Sequence, residues 1–331
     1  MDVLSEVLRV IQLTGAVYLD GRFSAPWSLL SRPDEAFCAA YLPPSDRVVS
    51  FHFVTEGECW AVLADDPASA VVLRAGEIVI VMQGEAHILG SSCDLEPKLA
   101  GPLLADQFRS APGGVMTLQH GGGGAAAHIV CGFLSIQEAV KNPLLAALPR
   151  LFKVEMRGSS ATWIESSLRY AAQEAAASRP GTATVLSKLS ELLFVEAIRR
   201  YVDSVPVDGK GWLGGLRDRF IARVLELMHA RPSHPWTVEE LAVRAGLSRS
   251  ALAQRFSELL GVPPMQYLAQ WRLQLAAQQL RSGTQQLAAI AAQVGYDSEA
   301  AFSRAFKREF GQAPATWRRN GGRRKVSDSI Q

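Results

Sequence analysis

Two stretches of the chain carry small or hydrogen-bonding side chains at the spacing of one helix face. Both follow the i, i+3, i+4, i+7 pattern that brings side chains to the same side of an α-helix. The first set is Ser250, Ala253, Gln254 and Ser257, and the second is Ala300, Ser303, Arg304 and Lys307. Such side chains suit close approach to base edges, and an arginine can contact guanine O6 and N7 together. The pattern predicts two base-reading helices, and the neighbouring Arg249 and Ser298 are included in the predicted DNA-binding set.

The sequence carries no recognisable catalytic constellation. No nucleophile stands beside a base, no carboxylate pair has a defined spacing, and no glycine motif for phosphate or dinucleotide binding is present. We therefore expect no catalytic residues and no cofactor, and we expect that the protein is not an enzyme.

The cysteines are widely spaced and form no CxxC pair: Cys38, Cys59, Cys93 and Cys131. This spacing argues against a disulfide framework or a zinc knuckle and fits a reducing, cytoplasmic environment. Cys131 follows an apolar run and precedes Gly132, so a buried structural thiol is the favoured interpretation. A redox switch at Cys131 is the alternative, and it requires a lowered thiolate pKa, access and a partner sulfur.

Charge is divided unevenly along a chain that is long enough for two domains. Of the 331 residues 48% are hydrophobic and 20% are charged, so a sizeable core can be buried. Residues 1–214 hold 17 basic and 23 acidic side chains, a net charge of −6, whereas residues 215–331 hold 17 and 9, a net charge of +8. The basic C-terminal third predicts binding to a polyanion such as nucleic acid. No apolar run is long enough to predict a membrane span.

The N-terminal part changes from a strand pattern to a helical pattern. Short apolar or alternating runs from about 15 to 135, separated by Gly, Pro, Asp and Ser, predict a β-sandwich or small barrel. The pattern is helical from about 142 to 203, and segment 183–203 is amphipathic. Its apolar stripe either packs on its own domain or forms a dimer helix. Residues 204–215, with Pro206 and four glycines, are the predicted linker.

The C-terminal part, 216–321, contains an internal repeat. The segment that begins at Leu241 recurs from Ile290 with one inserted residue, and glycines and phenylalanines fall in matching places. Each copy has the order helix, glycine-containing turn, helix, which predicts a helix-turn-helix motif. In the first copy, Thr237 and Glu240 predict a capping box.

One long helix is predicted between the two copies. About 18 helical residues within 263–282 would span ~27 Å at 1.5 Å per residue. Neighbouring major-groove segments on one face of DNA lie ~34 Å apart, so this helix can hold two recognition helices on adjacent turns. Beyond the repeat, the basic tail 322–331 is predicted to contact phosphates without choosing bases.

The C-terminal part resembles the AraC/XylS family of bacterial transcription regulators. The resemblance rests on the double motif, on AQWRLQLAAQQL in the long helix, and on GYDSEAAFSRAFKREFGQAPATWRR at 295–319. It implies that the faces holding Ser250 and Gln254, and Ser303 and Arg304, enter the major groove. Ala253 stands where a larger polar residue is often found, which implies weaker base reading by the first copy.

The β region resembles the cupin barrels that are fused to regulators of this family. The segment from Gly76 through Met82, Gln83 and Gly84 to His87 is similar to the second cupin motif, but no HxH pair marks the first. We therefore expect no metal. His52, Trp60 and His87 are the candidate ligand-binding residues, since small barrels bind ligands at their mouths. Strand alternation places Phe51 and Phe53 on one face and His52 on the other.

The predicted architecture is α+β. It comprises a cupin-like sensor and dimerisation domain at 1–203, the linker, and an all-α double helix-turn-helix domain at 216–321. The expected function is that of a cytoplasmic, sequence-specific transcription regulator that responds to a small-molecule or redox signal. Its expected partners are double-stranded DNA, RNA polymerase, an effector and a second copy of the chain. The alternatives are a cupin-type enzyme and an oxidant-sensing thiol switch, each with an appended DNA-binding module.

Overall fold

The computed structural model describes residues 2–33, 47–104, 115–137, 142–156, 181–206 and 209–320, with six further positions between 162 and 170. Two compact units are present, and they do not follow chain order. The sheet unit is Gln12–Gln137 with Leu148–Ser204, and the helical unit is Met1–Ile11, Glu138–Ala147 and Val205–Gln331. The domain boundaries drawn from the sequence stay a prediction.

Eleven strands are described in the sheet unit, and they form two separate sheets without closing into one barrel. They are β1 (Gln12–Ser24), β2 (Ser28–Ser31), β3 (Arg47–Glu56), β4 (Glu58–Leu63), β5 (Asp66–Arg74), β6 (Glu77–Val81), β7 (His87–Gly90), β8 (Lys98–Leu99), β9 (Val115–Gly121), β10 (Ala126–Gln137) and β11 (Leu151–Glu155). The six-stranded sheet has the order β11-β6-β3-β10-β1-β9, and the five-stranded sheet has the order β5-β4-β7-β2-β8.

The core of the sheet unit lies between these sheets. Leu19, Val79 and Cys131 of the first sheet belong to one buried cluster with Cys59 and Ala61 of the second. In β3 successive side chains lie on opposite faces of the sheet, as the sequence predicts. His52 is paired in register with Val79 and Cys131, so it shares their inward face.

Strand β11 lies in the region that the sequence predicts to be helical. Its burial alternates, with Phe152 and Val154 buried and their neighbours more exposed. That period of two is the strand signal, and β11 pairs with β6 at the edge of the larger sheet. The helical prediction is therefore wrong for these five residues.

Helix α1 (Val3–Val10) and helix α2 (Pro143–Ala147) belong to the helical unit, whereas helix α3 (Thr182–Ser204) belongs to the sheet unit. Helix α3 contacts β1, β10 and β11. Leu186, Leu193 and Ala197 of its predicted stripe are buried, so the stripe packs on its own unit, which is the first of the two alternatives. Leu192 beside the stripe is 50% exposed.

The remaining helices belong to the helical unit and cover most of the C-terminal third. They are α4 (Gly211–Arg217), α5 (Arg219–Ala230), α6 (Val238–Ala245), α7 (Arg249–Leu260), α8 (Pro264–Ser282), α9 (Leu287–Gln293), α10 (Glu299–Phe310) and α11 (Pro314–Arg319). Across the described part of the chain, every helix is too short or too polar to cross a membrane.

Helix α4 occupies part of the predicted linker, so the expectation of an irregular segment up to 215 is wrong. Its glycines serve close packing. A Cβ atom on Gly214 would lie 1.8 Å from the carbonyl oxygen of Gly209, and one on Gly215 would lie 2.8 Å from Leu260 Cδ1. The indole of Trp212 is buried and donates to the Tyr267 hydroxyl at 2.9 Å. Glycine here permits contact between backbones, which the sequence pattern alone does not distinguish from flexibility.

Candidate functional sites

The first helix-turn-helix motif is built by α6, a glycine turn and α7. Thr237 Oγ1 accepts the Glu240 amide at 3.1 Å and begins α6, and Ser248 Oγ accepts the Ala251 amide at 3.2 Å and begins α7. Gly246 ends α6 in the left-handed conformation, with φ of 74°. Leu252 and Phe256 of α7 are fully buried. These anchors hold α7 with its polar stripe directed away from the core.

The second motif repeats this framework with α9 and α10. Ser298 Oγ accepts the Ala301 amide at 3.2 Å and begins α10. The apolar face of α10 buries Phe302, Phe306 and Phe310 in a cluster that also contains Trp317. The two recognition helices, α7 and α10, therefore have matching serine N-caps and matching buried faces, as the repeat predicts.

The predicted DNA-binding side chains all lie away from the buried cores of their motifs. In and beside α7 and α10 the exposed ones are Arg249, Ser250, Gln254, Ser298, Ala300, Arg304 and Lys307. Ala253, Ser257 and Ser303 are half-buried. Each copy thus presents one continuous polar strip of the kind that can face a DNA groove.

Side chains in the polar strip of the first copy contact neighbouring glutamates. Arg249 Nε lies 2.6 Å from a Glu239 carboxylate oxygen, and Gln254 donates to Glu258 at 2.8 Å. Arg255, next to the strip, forms an ion pair with Asp218, which also caps α5. In the second copy, Arg304 and Lys307 have no carboxylate partner among the described residues.

Arg272 of α8 links the two motifs. Its guanidinium donates to the carbonyl oxygens of Pro232 at 2.6 Å, His234 at 2.8 Å and Gly295 at 3.2 Å. The first two acceptors precede α6, and Gly295 is in the turn before α10. Gly295 also approaches Ser233 so closely that a Cβ atom would lie 2.8 Å from Ser233 Cα. Burial lowers the pKa of Arg272, and the three acceptors offset that cost.

Arg272 is a structurally important residue that sequence analysis missed. Its charge and its place in the long helix were visible, but its acceptors are backbone atoms that lie 23 to 40 residues away along the chain. A pattern of side-chain types has no signal for such partners.

In the sheet unit, two of the three candidate ligand-binding residues come together. His52 of β3 and His87 of β7 are buried between the sheets, and their Nε2 atoms lie 2.8 Å apart. His87 Nδ1 is 2.8 Å from the carbonyl oxygen of Glu85, so it must donate there. His87 Nε2 is then the acceptor for His52 Nε2–H. His52 Nδ1 remains a buried acceptor without a hydrogen-bond partner among the described residues.

Burial keeps both imidazoles neutral. It lowers the pKa of His87 to about 4, and the Glu85 carbonyl opposes this shift only in part. It also lowers the pKa of His52 well below its ordinary value, with a further contribution from His87. In this environment both rings stay uncharged and share one hydrogen bond, from His52 Nε2–H to His87 Nε2.

Trp60 does not join the pair, and its place in the candidate ligand-binding set stays a prediction. In β4 the inward residues are Cys59, Ala61 and Leu63, and Trp60 alternates to the other face. His87 pairs in register with Leu63 and shares the inward face. Trp60 itself is half-buried on the face of its sheet that is directed away from the two histidines.

The two histidines do not fit the metal site that a cupin fold implies. Transition-metal sites take three or four protein ligands at about 2.0–2.3 Å. Within the described ranges, no three metal-ligating side chains cluster together. His52 and His87 instead hydrogen-bond to each other, which directs their Nε2 atoms away from a shared ion. The expectation of a metal-free protein stays a prediction.

Cys131 is buried beside His52, and burial raises the pKa of its thiol. Burial likewise raises the pKa of Cys59 to about 12. Neither environment favours the thiolate that a redox switch needs. His128, near in sequence, hydrogen-bonds to Asp20 instead. Cys93 is exposed, and Cys38 lies outside the described residues, as does the basic tail.

Comparison with known proteins identifies both halves of the chain. A cupin family model matches residues 2–203, and a helix-turn-helix domain model matches residues 241–320. A putative AraC-like transcription regulator from Streptomyces antibioticus is 32% identical over 97% of this chain and 99% of its own length. The regulator AlkR from Acinetobacter baylyi is 30% identical over 96% of this chain and 99% of its own length.

One solved structure is the DNA-binding domain of AdpA in complex with a target DNA. It is 29% identical and covers 33% of this chain and 98% of its own length, with a TM-score of 0.31.

Proposed function

Because the chain belongs to the AraC-type family of transcription regulators, which here joins a cupin domain to a helix-turn-helix domain, we propose that α7 and α10 bind adjacent major-groove segments of one DNA site. The observation that carries this proposal is the pair of outward polar strips on helices with matching caps and buried faces. Arg304, exposed and without a carboxylate partner among the described residues, is the proposed reader of guanine.

The sheet unit is the proposed sensor, and its ligand is a small molecule with a hydrogen-bond donor. His52 Nδ1 and Ser50 Oγ are buried without partners among the described residues, and both belong to the inward face of β3. A buried polar atom without a partner costs roughly 1–3 kcal/mol, which a donor on a ligand would recover. The buried, protonated thiols give the redox alternative less support.

The proposed assembly is a homodimer that recruits RNA polymerase at promoters. Exposed Leu192 on α3 offers an apolar contact for a second copy. Two linked DNA-binding units gain affinity through effective concentration. Sedimentation velocity at micromolar concentration tests the dimer, with Leu192→Asp expected to give monomers and to weaken operator binding.

We propose that the protein is not an enzyme. Its relatives are named as transcription regulators. The names of these relatives support a role in DNA binding and regulation rather than in catalysis.

Footprinting of the DNA upstream of the protein's own gene tests the function. We expect protection of two segments about one helical turn apart on one face of the duplex. Candidate effectors should change the protected region, and His52→Phe should abolish the change while Trp60→Phe retains it. Equal affinity for upstream and scrambled DNA would contradict sequence-specific regulation.

A further inference from the structure

The first position of each recognition helix carries an opposite charge in the two copies. Arg249 follows the N-cap Ser248 in α7, and Glu299 follows the N-cap Ser298 in α10. Because the caps match, the two side chains stand at equivalent places in the repeat. The N-terminal residues of a recognition helix contact base edges in the major groove. Arg249 belongs to the predicted DNA-binding set, so the same binding mode brings its counterpart Glu299 to the groove.

Glu299 has no counter-charge of its own in the protein. It is exposed, and within the described ranges its carboxylate makes no hydrogen bond or ion pair. Ion pairs along a helix form between positions i and i+3 or i+4. Those positions are Phe302 and Ser303, so no cation of α10 is in register with Glu299. The carboxylate is therefore not part of a surface ion pair that would explain its presence.

The helix that precedes each recognition helix differs in the same way. In the first copy, a carboxylate oxygen of Glu239 in α6 lies 2.6 Å from Arg249 Nε. The repeat places Ala288 of α9 at the position of Glu239, and α9 contains no ionisable side chain. The second copy thus lacks the cation in α9 that would mirror the pair of the first copy. The charge of Glu299 remains available for a donor outside the protein.

The chemistry of a carboxylate in the major groove favours one base. A carboxylate only accepts hydrogen bonds, and the groove edges of guanine and thymine present acceptors. Adenine presents the N6–H donor beside the acceptor N7, whereas cytosine presents the N4–H donor without an acceptor of its own beside it. Cytosine is therefore the base that a carboxylate recognises. On another base the carboxylate loses its hydration without gaining a partner, which weakens binding.

We propose that Glu299 accepts a hydrogen bond from the N4 amino group of a cytosine and so gives the second motif a preference for that base, in addition to the guanine proposed for Arg304. This inference rests on the proposed DNA binding by α10. The two side chains are five residues apart, which is about 7.5 Å along the helix, so their bases lie about two base pairs apart. An acid at this place also stabilises the helix N-terminus through the helix dipole, but that role predicts no base preference.

Enrichment of bound duplexes from a pool with about 25 randomised base pairs, enough for two groove segments one helical turn apart, tests the proposal on the full chain. The proteins are the wild type, Glu299→Gln and the control Glu226→Gln, which removes an equal charge from α5, outside both motifs. Glutamine has the size of glutamate but bonds adenine N6 and N7 together. We expect one position of the enriched motif to change from cytosine to adenine in Glu299→Gln, while Glu226→Gln keeps the wild-type motif.

Anisotropy titrations of the enriched duplex, with each base in turn at that position, measure the preference. The wild type should bind the cytosine duplex about five- to tenfold more tightly than the adenine duplex, and Glu299→Gln should abolish or reverse this order.

The proposal is overturned if Glu299→Gln enriches the wild-type motif, or if it raises the affinity for all four duplexes alike, as the loss of a repulsive charge would. Either result leaves sequence-specific DNA binding standing. If the wild type enriches no motif, the proposed function fails, and this inference fails with it.

Discussion

The two helix-turn-helix motifs share a framework but treat their cations differently. Each recognition helix begins at a serine cap and ends at a glycine with φ of 74° or 75°. In the first motif, Arg249 is paired with Glu239 and Arg255 with Asp218. In the second, Arg304 and Lys307 have no carboxylate partner within the described ranges.

This difference indicates that the two motifs contribute differently to DNA binding. An arginine that is already paired must exchange a carboxylate for a phosphate or a base, so its net gain on DNA binding is lower by the value of that exposed pair, roughly 0–1 kcal/mol. An arginine without such a partner retains the full binding free energy of its new contact with DNA. We expect the second motif to contribute more of the charge-dependent affinity and base reading, while the first contributes shape and position.

The largest expected effect comes from breaking the frame that both motifs share. Arg272→Met removes the donor to three carbonyl oxygens and should destabilise the helical unit by roughly 2–4 kcal/mol. Operator binding should fall at least tenfold, because the two helices lose their fixed relation. Urea unfolding and DNA anisotropy measure both, with Gln266→Met, exposed on the same helix, as control. Unchanged unfolding in Arg272→Met would contradict the role of Arg272.

Arg304→Ala tests which motif reads bases. It should weaken operator binding about ten- to hundredfold and barely change binding to scrambled DNA, since a bidentate contact to guanine gives ~1–3 kcal/mol of discrimination. The matched change Arg249→Ala should cost at most about threefold. Isotherms on both DNAs at several salt concentrations decide. Equal losses on the two DNAs for Arg304→Ala would make it a phosphate contact.

Acid should weaken the support of the first motif, because His229 of α5 is buried against Tyr267 and Trp271 of α8, whereas the second motif contains no histidine. Burial lowers the pKa of His229 to about 3, below the value near 6.5 of the unfolded chain. The unfolded state therefore binds the proton first. The stabilisation is complete above about pH 6.5 and is lost as pH falls toward 3, by roughly 2 kcal/mol at pH 5.

The free energy of unfolding at pH 7.5 and 5.0 measures this effect. The wild type should lose roughly 2 kcal/mol more than His229→Gln over that interval. His52 and His87 are present in both proteins, so their contribution cancels. An equal loss in the two proteins would assign the acid sensitivity to other groups.

The smallest effect should come from releasing Arg249. Glu239→Gln removes its carboxylate partner and should raise non-specific DNA affinity about two- to threefold at low salt, with up to one more unit of salt slope. Glu226→Gln, which removes an acid outside the motif, controls for net charge. If both variants behave alike, the ion pair with Glu239 does not restrain Arg249.

Local signals predict the two helix-turn-helix motifs. The cap at Thr237 depends on residues within one turn, so the sequence states it directly. The buried face of α10 follows from the spacing of its phenylalanines.

Contacts between residues that are far apart in the sequence could not be predicted from sequence patterns. His52 and His87 lie 35 residues apart and meet only because two sheets face each other. The face on which Trp60 lies depends on the register of β4 in its sheet, which a single strand does not reveal. Gly214 is one of the four glycines of the predicted linker, yet its backbone contact with Gly209 requires the missing Cβ.

The clamp at Arg272 has a consequence for the DNA as well as for the protein. Because it joins the turn before α10 to the segment before α6, the distance and angle between the recognition helices are built in. One inserted base pair would turn the second groove segment by about 34° and move it by about 3.4 Å. A protein with a flexible joint would absorb that change, but this one would have to give up contacts in one half. Evolution of its promoters should therefore constrain the length of the interval between the half-sites as strictly as the bases within them.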